Sequence, residues 1–149
     1  MKGNILDFEL YKTAPFTLEY SIIDSTIINV PIHFKIKDNK NIELYYEFNG
    51  QTIQIKENIG DTIFTQHLKL YIKPSVDMVD GEYYFTINDF GNLVRKYRNQ
   101  LSINIINGNA GSVELSFNDE NPVKCIDFLN TVIQEYKSFD VEQRTQSAR

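Results

Sequence analysis

The sequence predicts an α+β protein of mostly antiparallel β-structure, on three observations. Apolar and polar residues alternate through one short segment after another, the period-two signature of half-buried strands. Ten Phe and nine Tyr, with no Trp, supply large side chains that suit pleated surfaces. Residues 118–139, NDENPVKCIDFLNTVIQEYKSF, break the pattern with apolar spacings of three and four, which is helical. About nine strands are expected, most of them in a sandwich or meander over residues 1–88. A smaller α+β unit over residues 89–149 should follow, ending in the C-terminal helix and packing with the first part as one compact domain.

Leu6, Phe8 and Leu10 share one face of the first expected strand, and Phe16, Leu18, Tyr20 and Ile22 one face of the second, entered after Pro15. Val30, Ile32, Phe34 and Ile36 alternate with Pro31, His33, Lys35 and Lys37. Proline cannot donate to a ladder, so this strand either lies at an edge or begins at Pro31. In IELYYEFNGQTIQIK, residues 42–56, Asn49-Gly50 is a two-residue hairpin signal, because both positions need positive φ. That loop pairs Phe48 with Gln51, Tyr46 with Ile53 and Leu44 with Ile55, so turn and register agree.

Leu68, Leu70 and Ile72 make another strand, ending at Pro74. The loop PSVDMVDG closes at Asp80-Gly81 before a strand with Tyr83, Phe85 and Ile87. Phe90, Leu93, Val94 and Tyr97 outline a short amphipathic helix. Two strands, Leu101–Ile103–Ile105 and Val113–Leu115–Phe117, flank the turn NGNAG. The last helix should be capped by Asn121, with Pro122 at its first position, where a missing N–H is no loss. Asp119 and Glu120 complement its dipole, and Ile126, Leu129, Val132, Ile133, Tyr136 and Phe139 form an apolar stripe. Beyond it, DVEQRTQSAR has little to bury, so the residues past about 140 are expected to be helical but weakly anchored, or frayed.

The formal net charge of −5 argues against a nucleic-acid partner, which needs a clustered basic surface. Cys125 is the one cysteine, so no intrachain disulfide forms, and it reads as a buried helix residue. No segment has the length of a membrane span or the pattern of a signal peptide. His33 and His67, the only histidines, read as solvated residues beside lysines, and no Cys/His cluster suggests zinc. Asp77 and Asp80-Gly81 lack the ligand alternation of a calcium loop and read as turn residues. Neither a phosphate-binding loop nor a nucleophile elbow is present, and Arg95, Lys96 and Arg98 read as the wet side of the short helix. No catalytic residue, metal ligand or cofactor is expected.

Residues 97–148 resemble the membrane-proximal periplasmic region of chain-length determinant (Wzz-type) polysaccharide co-polymerases, including those fused to a bacterial tyrosine autokinase. The likeness rests on a strand, then GSVELSF, an acidic residue with Asn121-Pro122, the helix FLNTVIQEY with Asn130 and Tyr136, and a polar helix starting SFDVEQRTQSA. YKTAPFTLEY and the strand-rich middle look like the β-region inserted in kinase-fused exporters.

The resemblance implies a non-catalytic periplasmic domain of an inner-membrane protein, anchored by a transmembrane helix on each side. Such a domain self-associates and sets the length or export of a capsular polysaccharide or exopolysaccharide. Its implied partners are further copies of itself, the polysaccharide polymerase or an outer-membrane export channel, and as a further candidate the polysaccharide. Kinase chemistry would belong to another part of such a protein. Asn121, Pro122, Asn130 and Tyr136 match the family pattern, with roles in capping, packing and assembly. The polar tail would be the start of a longer helix whose partners lie elsewhere. The alternative is a freestanding carbohydrate-binding β-sandwich, motivated by Tyr45, Tyr71 and Tyr84, whose rings could stack on sugars.

Overall fold

The computed structural model describes residues 9–75, 79–109 and 111–147. The chain divides into two compact units, Thr13–Leu93 and Met1–Lys12 with Val94–Arg149.

The first unit contains β1 (Phe16–Ile22), β2 (Pro31–Lys37), β3 (Asn41–Phe48), β4 (Gln51–Asn58), β5 (Thr62–Phe64), β6 (Leu68–Pro74) and β7 (Gly81–Thr86). They form two antiparallel sheets, in the orders β1-β6-β5 and β4-β3-β2-β7. Alternation decides which side of each is dry. Ile32, Phe34 and Ile36 of β2 and Ile42, Leu44 and Tyr46 of β3 are buried, as are Ile63, Leu68, Leu70 and Ile72 of the other sheet. All belong to one core, and Phe16 of β1 meets Phe34 of β2 edge to face at 5.0 Å. This is a sandwich. Each buried Ile, Leu or Phe contributes about 1.5–3 kcal/mol, so a one-residue slip of β2 would forfeit several such terms at once.

The hairpin between β3 and β4 has the expected register, with Phe48 opposite Gln51, Tyr46 opposite Ile53 and Leu44 opposite Ile55. Asn49 and Gly50 take φ values of 49° and 76°. Pro31 opens β2, which is a central strand, so the reading in which the strand begins there is the correct one.

Other expectations need correction or fall elsewhere. Leu6 and Phe8 lie outside the described residues, as does Asp77. Leu10 is not in a strand and precedes a 3-10 turn at Tyr11–Thr13. A second 3-10 turn, Ser25–Ile27, buries Ile27 and is capped by Asp24, whose carboxylate accepts from Thr26 N–H at 3.0 Å.

His67 is not a solvated residue. It is 3% exposed, with Nδ1 2.8 Å from the Tyr46 hydroxyl and its ring 4.0 Å from that of Phe48. Period-two counting placed it on a strand face, but it sits in the turn joining β5 to β6. There Thr65 Oγ1 accepts from the N–H groups of His67 and Leu68 at 3.0 and 2.9 Å. A tight turn of this kind breaks the alternation and turns the ring into the core.

Beyond β7 come α1 (Phe90–Gln100), β8 (Leu101–Asn107), β9 (Ser112–Phe117) and α2 (Pro122–Ser147). Asp89 caps α1 by accepting from Asn92 N–H at 2.9 Å. Strands β8 and β9 pair antiparallel, with Leu101 opposite Phe117, Ile103 opposite Leu115 and Ile105 opposite Val113. The core of the second unit is small. Tyr97, Phe117 and Phe128 pack against one another, Tyr97 stacked on Phe117 and Phe128 tilted against both, with centroids 4.2–5.7 Å apart. The described residues thus hold nine strands in three sheets and two helices, the α+β, mostly antiparallel class that the sequence predicts.

Candidate functional site

The start of α2 is built as the sequence requires. Asn121 Oδ1 accepts from Lys124 N–H at 3.1 Å, and Pro122 takes the first helical position. Asp119 makes the turn before the cap by accepting from Asn121 N–H at 3.0 Å.

Next to this cap lies a cluster that no sequence motif announced. The Lys124 ammonium is 2.8 Å from Asp119 and 2.7 Å from Glu9, and 5.2 Å from the centre of the Tyr97 ring. Burial opposes the charge of Lys124, but its bonds to Asp119 and Glu9 outweigh that and hold its pKa above the ordinary lysine value. Burial likewise opposes charge on Asp119. The bonds from Lys124, Asn121 N–H and the Gln100 amide prevail and hold that carboxyl below the usual range. Both groups stay ionised. The segment ahead of the sandwich is also strapped to α2 at Asp127, which takes a 2.6 Å ion pair from Lys12 and a 3.1 Å hydrogen bond from the Tyr11 hydroxyl. These contacts join residues more than a hundred positions apart, which local spacing cannot reveal.

Past Val132 the character of α2 changes. Every residue over 133–147 is exposed except Asp140, which is half-buried. Among them Tyr136 is 69% and Phe139 59% exposed, and Ile126, one turn before Leu129, is 60% exposed. The apolar stripe is therefore only partly used: Leu129 and Val132 are half-buried, whereas Ile126, Ile133, Tyr136 and Phe139 face solvent. The hairpin repeats this. Leu101 and Phe117 at its base are half-buried, while Ile103, Ile105 and Val113 further along the same face are exposed.

The four family-pattern residues do not converge. Asn121 and Pro122 form the cap, whereas Asn130 and Tyr136 are exposed further along, with Tyr136 about 22 Å from the cap at the helical rise of 1.5 Å per residue. Cys125 is half-buried, with Sγ 3.7 Å from the Asp119 carbonyl, and Arg95, Lys96 and Arg98 are exposed on α1. Among the described residues no group of three His, Cys, Asp or Glu side chains is placed to hold a metal ion. No helix among them is long and apolar enough to cross a membrane.

The three tyrosines that suggested sugar stacking divide between the two sheets. Tyr71 is on β6, opposite Glu19. Tyr45 and Tyr84 flank His33 across β3, β2 and β7, with ring centroids 5.1 and 5.4 Å from the imidazole and planes 13° and 28° apart. The inner faces of this ladder are spent on one another. The Tyr45 hydroxyl donates to Glu82; that bond, burial and the carboxylate charge push its pKa up to about 12.

No family model matches the chain, and no curated protein matches it in sequence.

Proposed function

We propose that this chain is a non-catalytic assembly module of the kind found in the periplasmic part of an inner-membrane polysaccharide co-polymerase, where self-association governs the length or export of a surface polysaccharide. The single observation that carries the reading is the uncovered stripe of α2. Ile126, Leu129, Ile133 and Tyr136 follow alternating spacings of three and four, and three of the four are exposed. That spacing is the seam of a helix pair, in which each apolar knob enters a gap on the facing helix. It is self-complementary, so a second copy of the chain is the simplest occupant. Patches of this sort are uncommon on monomers and mark interaction sites.

The resemblance of residues 97–148 to Wzz-type proteins supplies the rest of the proposal: the periplasmic location, the flanking membrane anchors, and the polymerase or export channel as further partners. In this reading Asn121 and Pro122 fix where α2 starts, and the Lys124 cluster fixes its direction, so that Tyr136 reaches a neighbour at a set height. Replacing Ile133 and Tyr136 by Lys in the native producer should change the length distribution of its surface polysaccharide on a sizing gel. An unaltered distribution, with the protein present at normal abundance, refutes the proposal.

A further inference from the structure

His67 ties the two sheets of the sandwich together through both its ring and its backbone. It belongs to the turn joining β5 to β6 in the three-stranded sheet, and its ring meets Tyr46 and Phe48 of β3 in the four-stranded one. Its backbone carbonyl accepts from the N–H groups of Ile23 at 2.8 Å and Asp24 at 3.0 Å. The same residue therefore holds the chain just past β1, where Asp24 caps the 3-10 turn Ser25–Ile27. Movement of the ring out of its place would reach all of these.

The hydrogen bonds around the ring suit an uncharged imidazole. Nδ1 is 2.8 Å from the Tyr46 hydroxyl, and Nε2 is 3.4 Å from the Gln66 side-chain nitrogen, which is a donor. One neutral tautomer satisfies both, donating from Nδ1 to the phenol oxygen and accepting at Nε2. A second proton would set N–H against N–H in a buried ring. Turning the Gln66 amide over would remove that clash, but not the cost of keeping a charge away from water.

Among the described residues, the ionisable groups that face the ring are Tyr46 on β3 and Asp24 ahead of the 3-10 turn. Burial raises the Tyr46 phenol, which keeps its proton and offers the ring no negative charge. Asp24 is exposed, and bonds from the Thr26 N–H and hydroxyl hold its carboxyl below the usual range. It stays ionised between about pH 5 and 7, so it does not titrate with the ring and attracts it only from the wet side.

We propose that His67 is a pH-sensitive latch: when its ring takes up a proton, the turn between β5 and β6 swings away from β3 and releases Ile23 and Asp24. In the opened turn the ring meets water, where an imidazole charges at about pH 6.5. The opened state then holds a proton that the closed state lacks, so closure weakens as pH falls through that value. The latch lies within the sandwich and does not rest on the assembly reading.

Amide exchange of the full chain, followed by NMR at pH 7 and pH 5 and corrected for intrinsic rates, tests this. Opening at the Ile23 and Asp24 N–H groups should become at least tenfold more frequent at pH 5, while the amides of β2, central in its sheet, keep their protection. His67→Gln, which can still bond Tyr46 but does not titrate, should remove the increase. Gln66→Glu, which sets a carboxylate against Nε2, should hold it below threefold. Equal opening of the wild type at the two pH values overturns the latch, as does an equal loss of protection throughout β2. So does an increase that persists in His67→Gln, or a Gln66→Glu chain that opens as often as the wild type.

Discussion

The ammonium of Lys124 lies 2.8 Å from a carboxylate oxygen of Asp119, with the two side chains only 3% and 7% exposed. This pair anchors the first turns of α2, because its members come from the helix and from the turn that precedes it. Glu9 completes the site from the strap but is 47% exposed. The two carboxylates therefore differ in what their loss should cost.

Removing Lys124 leaves a buried carboxylate without its cation, the expensive way to break a buried pair. Lys124→Met should destabilise the second unit by about 3 kcal/mol, whereas Glu9→Gln, at the solvent rim, should cost under about 1 kcal/mol. Amide exchange of residues 126–129 under denaturant reports this unit separately from the sandwich. Equal effects of the two substitutions would show that the strap matters as much as the buried pair.

The same pair sets a pH window. Asp119 has its pKa depressed from 3.8, so its contribution is present above that value and is lost as pH falls through the lower folded-state value. Lys124 has its pKa raised from 10.5, so its contribution is complete below that value and is lost only at higher pH. Exchange protection at the start of α2 should thus be level between pH 4.5 and 9 as far as this pair is concerned, about the span between the two ordinary values. It should decline below pH 3.8. Asp119→Asn should be less protected at neutral pH and show a shallower acid decline. An acid decline as steep as that of the wild type would assign the titration to another group.

Gly50 holds φ at 76°, and a Cβ added there would meet no atom within 4 Å. Any cost of Gly50→Ala is thus a local backbone cost, about 1 kcal/mol, with no clash against other parts of the fold. Thermal unfolding of the sandwich should register it as a small fall in midpoint with the register of β3 and β4 unchanged. A loss several times larger would mean that the turn nucleates the sheet.

Much of this fold is legible in the sequence wherever one physical rule acts alone. Ile32, Phe34 and Ile36 declare β2 by period two, Asn49-Gly50 declares a hairpin, and Asn121-Pro122 declares where α2 begins. The rule fails where a turn intervenes. Thr65 redirects His67 into the core, and the short strand β5 carries too few alternations to be noticed.

The sites are less legible than the fold because their members meet only in three dimensions. Lys124 looks like a solvated helix residue until Glu9 and Asp119 are brought beside it. Tyr45 and Tyr84 read as separate strand-face residues until β2 inserts His33 between them. Helical periodicity did identify the stripe of α2, but spacing alone cannot say whether such a stripe is buried within its own chain or left for a neighbour.

That distinction is the centre of the account, and sedimentation velocity of the chain over a concentration series tests it most directly. The wild type should shift to a larger species as concentration rises, and Ile133→Lys/Tyr136→Lys should remain monomeric with an unchanged circular dichroism spectrum. A wild-type chain that stays monomeric throughout, or a double variant that associates as readily as the wild type, would contradict it.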